Sequence, residues 1–152
     1  MSSMLFESPR KAFLKLIRTS AIEAAIREAE RATTGEIRVA VLPRFRGSIE
    51  EMTERTALRL GMTNTQGRNG VLIVVDPARR SFRIWGDRAL HEKVGESFWR
   101  DTAKAVEGRF RAGDFTGGLV DGVHAAGVAL ASHFPPGAEG RRDQLSDAVD
   151  IR

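Results

Sequence analysis

The stretch from Arg83 to Gly95, R-I-W-G-D-R-A-L-H-E-K-V-G, carries the densest group of side chains that could do chemistry. It holds Asp87, His91 and Glu92 within six positions. Carboxylates and an imidazole this close could act as general acid and base, or could hold a cation. They could equally mark a helix that begins after Asp87, because aspartate is a preferred N-cap residue. A zinc-protease motif is excluded, since H-E-K-V-G lacks the second histidine of H-E-x-x-H.

Composition limits the chemistry that the chain can do. Its 152 residues are 41% hydrophobic and 29% charged, the balance of one soluble globular domain with its own core. There is no cysteine, which excludes a disulfide framework, a thiolate nucleophile and cysteine-bound zinc, and suits a reducing compartment. The net charge is +4, but the arginines are spread along the chain and tyrosine is absent. A solvated basic surface is therefore favoured over a nucleic-acid interface.

The two ends of the chain differ from its middle. Residues 8–18 form a basic amphipathic segment within an N-terminal stretch, 1–19, that has no apolar core or cleavage site of a signal peptide. The weakly polar run 122–134 is too short to cross a bilayer. Residues 135–152 are polar and rich in Pro and Gly, which predicts a flexible tail. We expect a cytoplasmic protein with one domain over 20–134, without a transmembrane segment but able to touch a membrane surface.

Periodicity predicts helices and strands in the order α, β, α, β, β, α, α. S-A-I-E is a capping box, with Ser20 at the N-cap and Glu23 reaching back. V-L-I-V-V at 71–75 is the best candidate for a central strand that is buried on both faces. The remaining predicted elements are strands at 36–42 and 81–85, a helix from Ser48 to Gly61, and helices at 88–92, 95–112 and 115–134, the last capped by Asp114.

The lengths of the connections set the expected directions of the strands. A helix joins the first two strands, so they should be parallel with a right-handed crossover. A short turn, D-P-A-R-R beginning at Asp76, joins the second strand to the third, so those two should be antiparallel. The expected fold is α/β, a three-layer α/β/α sandwich with a small mixed sheet and helices on both faces.

This topology brings three polar loops to one edge of the sheet. The first two strands start there and the third ends there, so T-G-E, R-N-G and G-D-R should meet. We expect Glu36, Asn69 and Asp87 to surround one concavity, with His91 one helical turn beyond Asp87. Carboxylate and amide oxygens suit calcium or magnesium better than zinc. Two nearby carboxylates also repel each other, which a bound cation would relieve.

Each of these residues also has an ordinary structural explanation. Asp87 could serve only to cap the helix that follows it, and Asn69 could belong only to a turn. Glu36 could pair with Arg68 or Arg88 across the edge of the sheet. The expected convergence of the three loops, rather than any single residue, is what favours a binding site.

Four longer motifs occur in a fixed order between residues 33 and 119, within the predicted domain of residues 20–134. They are T-T-G-E-I-R-V-A-V, L-G-M-T-N-T-Q-G-R-N-G-V-L-I-V-V, I-W-G-D-R-A-L-H-E-K-V-G-E-S-F-W and F-R-A-G-D-F-T-G-G-L. Together they resemble the TPM-domain family, which includes thylakoid acid phosphatases and many bacterial proteins, and the chain is most similar to a non-secreted bacterial branch. The resemblance implies one α/β/α sandwich and a site for Ca²⁺ or Mg²⁺. By matching motif, the implied metal-site residues are Glu36, Asn69, Asp87, His91 and Glu92.

Two functions follow from these expectations. The first is a cation-binding domain that acts as a protein-interaction or regulatory module through an unidentified, membrane-associated partner, with the basic N-terminal segment as one contact. It is favoured by the oxygen-rich edge and by the lack of a recognisable nucleophile, Walker loop or dinucleotide fingerprint. The alternative is a metal-assisted acid phosphatase for phosphomonoesters, in which His91 is the general acid and Arg68 or Arg88 holds the phosphate.

Overall fold

The computed structural model describes residues 8–136 and 145–152 of the chain. The helices are α1 (Pro9–Leu16), α2 (Thr19–Glu30), α3 (Ile49–Arg59), α4 (Arg88–Arg111) and α5 (Phe115–His133), with a 3-10 turn at Met62–Asn64. The strands are β1 (Ile37–Val41), β2 (Val71–Asp76), β3 (Ser81–Gly86) and β4 (Asp150–Ile151). The parts of the predicted N-terminal segment and tail at 1–7 and 137–144 lie outside the described residues.

The four strands form one mixed sheet in the order β3-β2-β1-β4. β1 and β2 are parallel, with Ile37 opposite Val71. β2 and β3 are antiparallel, with Val71 opposite Gly86. Helix α3 makes the crossover between the parallel pair, and a short turn joins the antiparallel pair. The predicted α/β sandwich with a small mixed sheet is therefore confirmed.

The sheet separates two hydrophobic cores. The larger core lies under α1, α2, α4 and α5, and it includes Val39 and Ile73 together with Leu119 of α5. The smaller core lies under α3, and it includes Leu72 and Ala57. Neighbouring residues along β2 thus face opposite cores, as the pleat of a strand requires. β1 and β2 are buried along their whole length, which confirms the double burial predicted for V-L-I-V-V.

Helix α1 belongs to the predicted basic amphipathic segment, and it packs on the domain. Ser8 caps it by accepting the Lys11 N–H at 3.2 Å, and Pro9 occupies its first turn. Phe13 is buried in the larger core, where its ring centre lies 5.0 Å from that of Phe115. The apolar side of this segment is therefore used within the fold. None of the helices in the described part of the chain is both long and apolar enough to cross a bilayer.

Helix α2 begins at Thr19, and no side chain caps its N-terminus. The predicted capping box of Ser20 and Glu23 is therefore wrong. Glu23 instead accepts the Val149 N–H at 2.9 Å through Oε2. The C-terminal segment brings the partly buried Val149 N–H beside α2, and Glu23 satisfies this donor instead of one at the helix end.

Helix α4 takes the place of the two helices predicted at 88–92 and 95–112. It is continuous apart from a kink at Gly95, whose φ of 74° is readily adopted only by glycine. The kink lies where the sequence predicts a break between helices. Asp114 then caps α5 by accepting the Gly117 N–H at 2.8 Å, as predicted.

The C-terminal residues return to the sheet. Asp150–Ile151 pairs in parallel with the end of β1, and the Arg152 N–H donates to Val41 O at 3.1 Å. Arg59 of α3 holds the Asp150 carboxylate at 2.7 Å. Asp150–Ile151 thus forms an edge strand of the sheet, within the stretch where the sequence predicts a tail. Pairing satisfies backbone groups that β1 would otherwise leave open.

Candidate functional site

Three loops meet at one edge of the sheet, as the strand directions require. The Val71 N–H donates to Glu36 O at 2.8 Å, and the Asp87 N–H donates to Gly70 O at 2.9 Å. These bonds place Glu36, Asn69 and Asp87 beside the ends of three adjacent strands, and we call these three residues the strand-edge site. Their exposed fractions are 1%, 1% and 3%. The burial of two acids and an amide at one edge makes it a candidate binding site.

Asp87 is held by an arginine of the neighbouring loop. Arg68 Nε donates to Asp87 Oδ2 at 2.8 Å, and Arg68 Nη2 donates to Oδ1 at 3.1 Å. The hydrogen bonds and the charge of Asp87 raise the pKa of Arg68 above its ordinary value. Asp87 Oδ1 also accepts the Arg88 N–H at 2.8 Å, so Asp87 caps α4 as well. The capping explanation and the convergence of the loops are thus both correct for this residue.

Asn69 brings a buried oxygen to the same edge. Its Nδ2 donates to Thr34 Oγ1 at 3.3 Å, which joins the R-N-G loop to the loop before β1. Its Oδ1 is buried and accepts no hydrogen bond from any described residue. Buried polar oxygens normally have a partner, so this one marks a place where a ligand or an ion could be accommodated.

The loop that carries Glu36 is fixed by helix α5. The Gly35 N–H donates to Thr33 Oγ1 at 3.0 Å, and Thr33 Oγ1 donates to Phe134 O at the end of α5. A Cβ atom at Gly35 would come within 2.6 Å of Leu130 Cδ2, so only glycine allows this close approach. The T-T-G-E motif is therefore conformationally restricted, which holds Glu36 at the sheet edge.

His91 and Glu92 lie apart from the buried residues of the strand-edge site. The His91 N–H donates to Asp87 O at 3.0 Å within the first turns of α4, but both side chains are exposed. Across residues 8–136 and 145–152, no three side chains of His, Cys, Asp or Glu are grouped to hold a metal ion. A cation at this edge would therefore need oxygen from the Asn69 amide or from the backbone in addition to carboxylates.

The opposite edge of the sheet contains a second buried aspartate. Asp76 is 1% exposed, and its Oδ1 accepts the Arg79 N–H at 3.3 Å. This bond closes the D-P-A-R turn, as the sequence predicts. The Arg79 guanidinium donates to Gly47 O at 2.7 Å and to Phe45 O at 2.6 Å. The neighbours of Asp76 are thus Arg79, which lies within the same turn, and Ser81, which lies opposite it in the register of β2 and β3.

Sequence reasoning missed the partner of Asp87. Arg68 was expected to pair with Glu36 or to bind phosphate, whereas its guanidinium bonds to Asp87. No signal in the sequence indicates this pairing, because it depends on the left-handed backbone of Arg68, whose φ is 49°. Thr34 was also missed as the hydroxyl partner of Asn69.

Comparison with known proteins agrees with this fold. The model of the TPM domain matches residues 10–129. The solved structure of the BA42 protein from the psychrophilic bacterium Bizionia argentinensis is 34% identical, with a TM-score of 0.82 and coverage of 100% of both chains. An N-terminal domain from P. gingivalis is 23% identical, covers 92% of this chain and 91% of its own, and has a TM-score of 0.66. No curated protein matches the sequence.

The chain therefore belongs to the TPM domain family, and the resemblance of its four motifs is confirmed. The matched region begins inside α1 and reaches into α5, so it contains every residue of the strand-edge site. The likeness to the P. gingivalis domain, at 23% identity, supports the fold alone.

Proposed function

We propose that this TPM domain is a divalent-cation-binding module that acts through a protein partner. The cation is Ca²⁺ or Mg²⁺, and it binds at the strand-edge site of Glu36, Asn69 and Asp87. The observation that carries the proposal is the buried Asn69 Oδ1, which accepts no hydrogen bond from a described residue. The proposed setting is the cytoplasm, with the partner at the membrane face.

The chemistry of the donors supports a hard cation. Carboxylate, amide and backbone oxygens are the ligands that Ca²⁺ and Mg²⁺ prefer, and Ca²⁺ tolerates irregular arrangements of them. The three side chains come from three different loops, so a cation that bound them would fix the positions of the loops relative to one another. This change would alter the surface around the site, which is how a cation could regulate contact with a partner.

Arg68 competes with the proposed cation for Asp87. Its guanidinium supplies the positive charge that the Asp87 carboxylate needs when no cation is bound. The Arg68 side chain is 42% exposed, so it can turn toward solvent at little cost in packing. Binding is then an exchange of one positive partner for another, and it requires no unpaired buried charge in either state.

Titration of the metal-stripped protein with Ca²⁺ and with Mg²⁺, followed by NMR, tests this proposal. Amides at 34–36, 67–70 and 86–88 should move together, and Asp87→Asn should weaken the binding by at least roughly tenfold. Asn69→Ala should weaken it as well, since it removes the oxygen without a partner. Asp76→Asn is the matched control, because it neutralises a buried aspartate at the opposite edge and should leave binding unchanged.

The outcomes separate three interpretations. If the three loops do not respond at millimolar cation, the strand-edge site binds no cation and Asp87 is a helix cap only. If Asp76→Asn weakens binding as much as Asp87→Asn does, the effect is a general one of charge. A phosphomonoester assay on the same samples distinguishes a binding module from an enzyme. Metal-dependent turnover that is lost in Asp87→Asn would favour a phosphatase over a binding module.

A further inference from the structure

Strand β3 lies at an open edge of the sheet, since it pairs with β2 on one side only. The Asp87 N–H points toward β2, where it donates to Gly70 O. Because the hydrogen-bonding direction alternates along an antiparallel strand, the N–H and C=O groups of Phe82, Ile84 and Gly86 point away from β2. Within the described residues, these outward groups have no hydrogen-bond partner. Such a row of open backbone groups can pair with another strand.

A groove of about 710 Å³ runs beside this edge, and we call it the β3 groove. Glu54 of α3 lies on one side of it, and α4 supplies the other side with Glu96, Trp99, Arg100 and Ala103. The two helices flank the outward backbone groups, so a chain that pairs with β3 would lie between them. A groove of this form suits an extended segment better than a second folded domain.

The two sides of the β3 groove are lined by different side chains. Ile84 packs against the larger core beside Trp99, which gives the α4 side an apolar strip next to the strand, although His91, Glu96, Arg100 and Glu107 of α4 also line the groove. On the α3 side, Glu50 neutralises Arg83 at 3.4 Å, whereas Glu54 forms no ion pair with a described residue. The side chains of an added strand alternate between these two sides. One row would meet apolar surface, and the other row would meet a carboxylate.

The Trp99 indole holds a buried donor beside the groove. Nε1 makes no hydrogen bond within the described residues. A Cβ atom at Gly86 would come within 2.6 Å of Trp99 Cζ2, so glycine lets the ring lie directly against β3. Buried indole N–H groups usually have an acceptor. A main-chain carbonyl of a segment bound in the groove would provide one.

We infer that the β3 groove binds an extended segment of a partner protein, which adds a strand to the open edge. The segment that fits best alternates apolar residues, toward Trp99, with basic residues, toward Glu54. Main-chain hydrogen bonds along Phe82, Ile84 and Gly86 give affinity, and the alternating side chains give selectivity. This inference rests on the proposed interaction role of the domain, but it requires no cation.

The first test is an NMR titration of the ¹⁵N-labelled chain, without added metal, with a short blocked peptide of alternating valine and lysine. Amides of Phe82, Ile84 and Gly86 should shift more than those of Arg83 and Trp85, whose N–H groups point toward β2. A peptide of alternating valine and glutamate is the matched control. It should bind at least roughly tenfold more weakly, because its carboxylates meet the acidic side of the groove.

Two further controls separate strand pairing from general adhesion. Ala103→Arg places a long side chain in the groove and should weaken binding by roughly tenfold or more. Ala105→Arg makes the same change on α4 outside the groove lining and should leave binding unchanged. Two methylated forms of the valine–lysine peptide are then compared, one with methyl groups on the main-chain nitrogens of all valines and one with methyl groups on those of all lysines. Only one of these two forms should lose binding, because the N–H groups that face β3 belong to one residue type.

Three results would each overturn the inference. They are the absence of binding at millimolar peptide, binding that Ala103→Arg leaves intact, and equal tolerance of the two methylation patterns. None of them depends on Ca²⁺ or Mg²⁺. Failure of the β3 groove and failure of the strand-edge site are therefore distinguishable.

Discussion

Each end of strand β2 lies near a buried aspartate that is paired with an arginine. Asp76 is 1% exposed, and Arg79 Nε lies 3.5 Å from its Oδ2. Asp87 is 3% exposed, and Arg68 Nε lies 2.8 Å from its Oδ2. The first pair is three residues apart within one turn, whereas the second joins two loops that are 19 residues apart.

The surroundings of the two pairs differ more than the pairs themselves. Asp76 Oδ2 and Asn69 Oδ1 both lack a hydrogen bond within the described residues. The Asp76 oxygen is already 3.5 Å from a guanidinium, while the Asn69 oxygen belongs to an amide that carries no charge. At the Asn69 end, Glu36 and also Glu30, whose Oε2 accepts the Ile37 N–H at 2.7 Å, add buried carboxylates. In the proposed cation site, the oxygens of Asn69 and Glu36 are therefore what distinguishes the Asp87 end from the Asp76 end.

Replacing either aspartate with alanine should lower the free energy of unfolding, and the loss should be larger for Asp87 than for Asp76. Asp87→Ala deletes three hydrogen bonds, including the cap of α4, and should lower the free energy of unfolding by about 2 kcal/mol. Asp76→Ala should lower it by about 1 kcal/mol, because Arg79 keeps its bonds to two backbone carbonyls. Urea unfolding measures both values. Equal losses would show that linking two loops contributes no more than closing one turn.

Replacing each arginine with glutamine tests whether an arginine competes with a cation at one end of β2 only. Arg68→Gln frees Asp87 from its competing partner, so the affinity for Ca²⁺ should rise on the order of tenfold, or about 1.4 kcal/mol. Arg79→Gln makes the same change at the opposite edge and should leave Ca²⁺ binding unaltered. Calorimetric titration of both variants checks this. An unchanged affinity in Arg68→Gln would mean that Asp87 does not contact the cation.

A smaller effect should come from the glycine before Arg68. A Cβ atom at Gly67 would lie 2.7 Å from Asn69 Nδ2 and 3.1 Å from Asn69 Oδ1. Gly67→Ala should therefore displace the amide and weaken Ca²⁺ binding about threefold, which is less than 1 kcal/mol. Gly108→Ala is the control, since a Cβ atom there would meet nothing within 4 Å. The same weakening in both variants would show that the Asn69 amide does not contact the cation.

The meeting of the three loops at one edge of the sheet could be predicted, because it depends only on the directions of the strands. A helical crossover makes two strands parallel and a short turn makes two antiparallel, so the meeting of T-G-E, R-N-G and G-D-R follows from connection lengths alone. The burial of β2 on both faces could be predicted for a similar reason, since a run of five apolar residues leaves no face for solvent. These properties depend on the backbone and on local pattern.

The side-chain partners could not be predicted, because they depend on tertiary geometry. Arg68 had several acids within reach of its loop, and only the observed backbone at φ 49° directs it to Asp87. Glu23 fits a capping box locally, yet it bonds to Val149, which is 126 residues away. Strand β4 has two residues, too few for any periodicity to reveal.

The kink at Gly95 divides α4 into a short segment and a long segment. This helix of 24 residues consists of two segments with separate axes, because Gly95 has non-helical backbone angles. The short segment starts at the Asp87 cap. The long segment packs against α5, where Val106 and Phe110 lie close to Gly122 and Gly118, respectively. Packing on α5 therefore fixes the direction of the long segment, but it does not fix the direction of the segment that carries the Asp87 cap.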